Sequence, residues 1–103
     1  MQLWEILVPT VVDKKKVDVY QHRIWDRRVA EIAGGLTILR PIQGRWVHYA
    51  EDLLSIEQEL MIPVRIACDL KQIRDIAKMT AEYFHQKSVM YYLVSKGVEF
   101  YTV

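Results

Sequence analysis

The chain predicts an α+β domain in which strands and two helices follow one another as β-α-β-β-α-β, and three observations carry that expectation. Apolar residues recur at helical spacing in two separated stretches. Runs rich in β-branched and aromatic residues stand before, between and after those stretches. Glycine and proline mark most of the changes of pattern. The chain has 103 residues, 51% of them hydrophobic, with no Gly/Ser/Pro-rich linker. That is enough for one thin core, so residues 1–103 are expected to form a single domain.

Residues 3–8 read as the first strand, with Trp4, Ile6 and Val8 on one face, Leu3, Glu5 and Leu7 on the other, and Pro9 at its end. Asp13 and Lys14, Lys15 and Lys16 make a charged, solvated connection. A helix follows over residues 19–33, its buried stripe built from Ile24, Trp25, Val29, Ile32 and Ala33. Gly34 and Gly35 close it, because glycine enters the left-handed region without a Cβ clash. Residues 36–39 form the next strand. Pro41 and Gly44 bend the chain, and residues 45–49 resume an extended pattern, either continuing that strand or forming a short neighbour. Residues 50–58, with Glu51, Asp52 and Glu57 among Leu53, Leu54 and Ile56, are expected as a loop.

Residues 60–68 are almost continuously apolar and read as a central strand. Pro63 has no amide donor, so it must sit at a bulge or turn away from a partner strand. Asp69 can cap the second helix with Gln72 reaching back to it, and Ile73, Ile76, Ala77, Thr80 and Phe84 form its inward stripe. Residues 88–94 return to strand, 95–97 turn, and 98–103 complete a C-terminal hairpin. Right-handed crossovers place both helices on one face of an antiparallel sheet, which is the ferredoxin-like arrangement, here with an extra C-terminal strand.

Two helices cover only one face of that sheet. On the strand at 60–68 one face would carry Leu60, Ile62, Val64 and Ile66 and the other Met61, Pro63, Arg65 and Ala67, with only Arg65 polar, and on the strand after Ser88 both faces are again apolar or aromatic. Large apolar patches are uncommon on monomers, so a partner is expected there. A second copy of the chain, most simply in a homodimer, is the favoured occupant, and a fold-back of residues 50–58 or of the C-terminal strand is the alternative.

Charge and motif content narrow the function classes. Lys and Arg number 14 against 13 Asp and Glu, a formal charge of +1, so no global field draws the chain to nucleic acid or anionic lipid. The apolar runs are shorter than the ~20 residues of a membrane span. Met1 leads straight into strand pattern and the chain has one cysteine, Cys68, which together predict a cytoplasmic protein with no internal disulfide. No nucleophile elbow, phosphate loop or glycine-rich fingerprint is present, and His22, His48 and His85 are spaced too far apart for a helical metal site, so no catalytic residue, metal or cofactor is expected.

Two residue groups remain as candidates. Arg45, Trp46 and His48, with Glu57 and Gln86 as orienting partners, could wall a cleft for a small anionic ligand. Arg23, Arg27 and Arg28 on the first helix could meet an anion or nucleic acid. Asp26 and Glu31 dilute that cluster, and the central strand Pro63-Val64-Arg65-Ile66-Ala67 offers no aromatic ring for base stacking, which makes nucleic acid the weaker choice.

Thr37, Gly44 and Trp46, followed by an acidic residue, a buried strand, a helix and then Phe84, Gln86 and Val89, make a wider pattern. Together with the run Gly34-Gly35-Leu36-Thr37-Ile38-Leu39, it resembles a group of small ferredoxin-like proteins of bacteria and bacteriophages catalogued as a domain of unknown function. The resemblance spans residues 24–93. It implies the fold and no substrate. The uncovered sheet face and the missing catalytic motif favour a non-enzymatic module that associates with itself, expected as a phage accessory protein that binds a host protein or a small ligand. An enzyme or binder acting on an anionic metabolite or nucleotide near Arg45 and Trp46 is the alternative.

Overall fold

The computed structural model describes the backbone of residues 1–50 and 53–103, and the side chains of these residues outside 44–59. The elements are β1 (Gln2–Pro9), β2 (Val11–Val12), β3 (Lys15–Lys16), α1 (Val19–Ala33), β4 (Thr37–Ile38), β5 (Ile42–Ala50), β6 (Leu53–Cys68), α2 (Leu70–Tyr83) and β7 (Tyr91–Ser95). The main sheet runs β4-β6-β1-β7, with β5 also on β6 and every pairing antiparallel. This is the predicted α+β architecture.

Period-2 alternation decides which residues meet the helices. Trp4, Ile6 and Val8 of β1 and Val64, Ile66 and Cys68 of β6 form one cluster with Trp25 and Val29 of α1 and Ile73, Ile76 and Ala77 of α2. Every residue of the α2 stripe read from the sequence, Thr80 and Phe84 included, is buried. Both helices begin with a full capping box. Asp18 and Gln21 exchange bonds of 2.7 and 3.0 Å, and Asp69 and Gln72 bonds of 2.8 and 3.0 Å. Gly34 ends α1 at φ 87°, with its N–H donating to Ala30 O.

Pro63 lies opposite Leu7 of β1, yet its carbonyl accepts from Leu39 N–H at 2.9 Å on the other side of the strand. A strand residue's N–H and C=O point to the same side, so the donor that Pro63 lacks faces residues 39–41, between β4 and β5. That edge also settles the bend. From Ile38↔Val64 to Ile42↔Met61 the β4–β5 side takes one more step than β6, the signature of a bulge between two ladders on a single edge.

Four expectations change. Residues 53–58, expected as loop, are the first part of β6, because Leu53, Leu54, Ile56 and Leu60 give them strand composition and β5 supplies a ladder partner; Glu51 and Asp52 lie outside the described residues. Asp13 and Lys14 are the central residues of a β2–β3 hairpin, with φ of 50° and 64° that match the positive-φ pair of a type I′ turn. Residues 98–103 form no strand, so β7 is the last one and the extra C-terminal strand is absent from the protomer. Finally, the sheet face away from the helices is sheltered at its centre. Leu7 is 8% exposed and Met61 7%, while Tyr92 and Val94 on the β7 margin stay open.

Candidate functional site

Strand register positions the first candidate group. Trp46 stands opposite Glu57, His48 opposite Ser55 and Arg45 opposite Gln58 on the β5–β6 ribbon, so four of the five proposed ligand residues share one short stretch of ladder. Their side chains lie outside the described residues. Gln86 belongs elsewhere, to the turn that leaves α2. Its N–H donates to Ala81 O at 2.8 Å and its side-chain amide to Phe84 O at 3.1 Å, a helix-end role.

The α1 arginines are exposed. Arg28 lies over the Tyr83 ring at 4.7 Å, a cation–π contact that ties α1 to α2, and Tyr83 OH donates to Gln21 O at 3.2 Å. Arg23 and Arg27, one helical turn apart, project from the same side.

A further constellation was not among the candidate residues. On the face away from the helices, Thr37 stands opposite Arg65, Arg65 opposite Glu5 and Glu5 opposite Tyr92, a polar row crossing β4, β6, β1 and β7. Arg65 Nε donates to Glu5 Oε1 at 3.1 Å. The Glu5 residue is 4% exposed. The Arg65 side chain is 42% exposed, because Pro63 and Ala67, its same-face neighbours on β6, are short. The signal in the sequence was that Glu5 is the one charged residue in an otherwise apolar or neutral strand and that, within residues 60–68, Arg65 is the one polar residue.

A small cleft of about 60 Å3 lies where α1 meets the sheet, lined by Val8, His22, Trp25, Asp26, Ile38, Ile62 and Val64. His22 Nε2 donates to Pro9 O at 3.0 Å. Burial raises the Asp26 carboxyl above its ordinary range, and the nearby His22 partly offsets this. Among the described residues, no group of three or more His, Cys, Asp and Glu could hold a metal ion, and no helix is long and apolar enough to cross a membrane.

Antiparallel strands under two helices define a ferredoxin-like α+β protein, and solved structures of this fold match the chain. A phage SAM lyase in complex with S-methyl-5'-thioadenosine superposes with a TM-score of 0.63 at 16% identity, covering 93% of this chain and 81% of that one. CutA from Synechococcus elongatus gives 0.59 at 11% identity, covering 91% and 74%. The Bacillus subtilis GlnK–ATP complex gives 0.53 at 13% identity, covering 91% and 83%. At these identities the likeness is one of fold, shared with small proteins of bacteria and phage. No protein-family model and no curated protein matches the chain.

Proposed function

We propose that this chain is a non-enzymatic, self-associating binding module, a phage accessory protein of the cytoplasm whose copies meet through the β7 margin and the residues after it. One observation carries the reading: Phe100 is 71% exposed and Tyr101 92%, and Met90, Tyr92 and Val94 in and before β7 are open as well. Aromatic residues left in water forfeit roughly 1.5–3 kcal/mol each, and a second copy presents the same surface to cover them. The β5–β6 ribbon adds support. Among the described residues, β5 alone pairs with residues 53–60 of β6, and a two-stranded ribbon is marginal in water until something packs on it. A dimer is the simplest assembly, and a host protein or a small ligand is its further occupant.

Sedimentation equilibrium tests this. The wild-type protein is expected to exceed its 12.2 kDa protomer mass at micromolar concentration, and the Phe100→Ser, Tyr101→Ser double variant to shift toward the protomer. A wild-type protein that stays at protomer mass throughout the concentration range refutes the reading.

A second reading is favoured by the register of Trp46 opposite Glu57 and His48 opposite Ser55. This ribbon would form one wall of a site for an anionic metabolite or nucleotide derivative, and a fold neighbour was solved with S-methyl-5'-thioadenosine, another with ATP. Tryptophan fluorescence during titration with each of those two compounds, on wild type and Trp46→Phe, tests it. The expected result is a saturable change that the variant loses.

A further inference from the structure

We infer that Arg65, held in place by Glu5, is the anion-binding residue of a site on the sheet face opposite the helices, and that it takes the carboxylate or phosphate of a small ligand. The inference does not depend on self-association. It begins with a cost. A carboxylate that is 4% exposed in the middle of a central strand is expensive to bury, and a well-packed apolar pair at Glu5 and Arg65 would serve stability at least as well. What the pair does supply is direction. Glu5 Oε1 occupies only Nε of the guanidinium, at 3.1 Å, and no described residue accepts from the two terminal Nη atoms. Those atoms carry the donors that bind a planar carboxylate or a phosphate edge in two parallel hydrogen bonds.

The surroundings fit such a use. Pro63 and Ala67 flank Arg65 with short side chains, and the Arg65 side chain keeps 42% of its surface open. Thr37, exposed on β4, brings a hydroxyl to one end of the row. Tyr92, also open, brings a phenol and a ring face to the other. Arg65 and Glu5 sum to zero charge, so selection rests on the orientation of donors, and binding should depend weakly on salt. Glu5 is a positioning residue; Arg65 makes the contact.

The two roles separate experimentally. The full-length protein, labelled with nitrogen-15, is titrated with inorganic phosphate and, in a parallel arm, with succinate, at matched ionic strength. Saturable shifts of the Thr37, Arg65 and Tyr92 resonances are expected in one arm, and the arm that saturates first identifies the anion. Arg65→Lys keeps the charge but loses the fork, and should weaken binding at least about tenfold. Glu5→Gln makes the site more positive. Simple attraction then predicts tighter binding, whereas loss of positioning predicts binding weaker by several fold. The proposal is overturned if neither anion gives saturable shifts with the wild-type protein, if Arg65→Lys binds as well as wild type, or if Glu5→Gln binds as well or better. Arg65→Lys preserves a donor for Glu5, so it keeps the test open should Glu5→Gln fail to fold.

Discussion

Thr80 accepts from Trp25 Nε1 at 2.9 Å and donates to Ile76 O at 2.6 Å, and this buried pair of bonds joins α2 to the indole of α1. Thr80→Val keeps the shape and removes the acceptor, leaving the indole N–H unpaired. Urea denaturation should show a loss of about 1–3 kcal/mol. Helical spacing put Thr80 on the inward stripe but could not say why a hydroxyl belongs there, because its partner is on the other helix. Cys68 is fully buried, and burial, with Asp69 beside it, pushes its thiol up to about 11. Its alkylation by iodoacetamide at neutral pH should therefore be slow in the native protein and fast in denaturant. Asp26 gives a pH dependence. Its folded pKa lies above the ordinary 3.8, so the native state holds the proton more tightly and stability falls as pH rises through the folded value. Asp26→Asn should raise the thermal midpoint at neutral pH, and the gain should fade on acidification toward pH 3.8.

At the scale of elements, local rules were reliable where the interaction is local. The α2 cap needs only Asp69 and Gln72, three residues apart, and both were readable. The same Asp-x-x-Gln pattern stands at Asp18 and Gln21, where it completes a second capping box that helical spacing alone did not point to. Asp69→Ala should cost roughly 1 kcal/mol in chemical denaturation, and Asp18→Ala a similar amount. Asp18→Asn, which keeps an acceptor, should recover most of the loss. Where a partner lies far away in sequence, reading failed. Acidic residues between leucines look like loop until β5 is seen to supply a ladder, and positive φ at Lys14 cannot be inferred from a lysine run. The ligand-residue group divides the same way: Trp46 and Glu57 are matched by register, which sequence spacing does not encode, whereas Gln86 serves its own helix end.

For the whole molecule, the alternation of apolar residues sorted each strand onto two faces, because a one-residue slip would reverse every side chain, but with both faces largely apolar it left open which of them meets the helices. It was not enough to say how open the other face is. Shelter there depends on side-chain size and on neighbouring strands, so Leu7 and Met61 are covered while the surface next to β7 is not. The unpaired stretch 98–103 was equally hidden from pattern, since it has strand composition and no ladder within its own protomer. If those residues meet another copy, ending the chain at Gly97 should lower the assembly mass seen by light scattering and leave the far-ultraviolet circular dichroism nearly unchanged.

The position of β1 has a consequence for how the chain is made. It is synthesised before every other described strand, yet it aligns Gln2 with Cys68 and Ile6 with Tyr91, so both of its neighbours are translated tens of residues later. At about 5–20 residues per second, its greasy face waits several seconds for company. Nascent chains halted before Cys68 should hold a ribosome-associated holdase, and release should coincide with synthesis of β7.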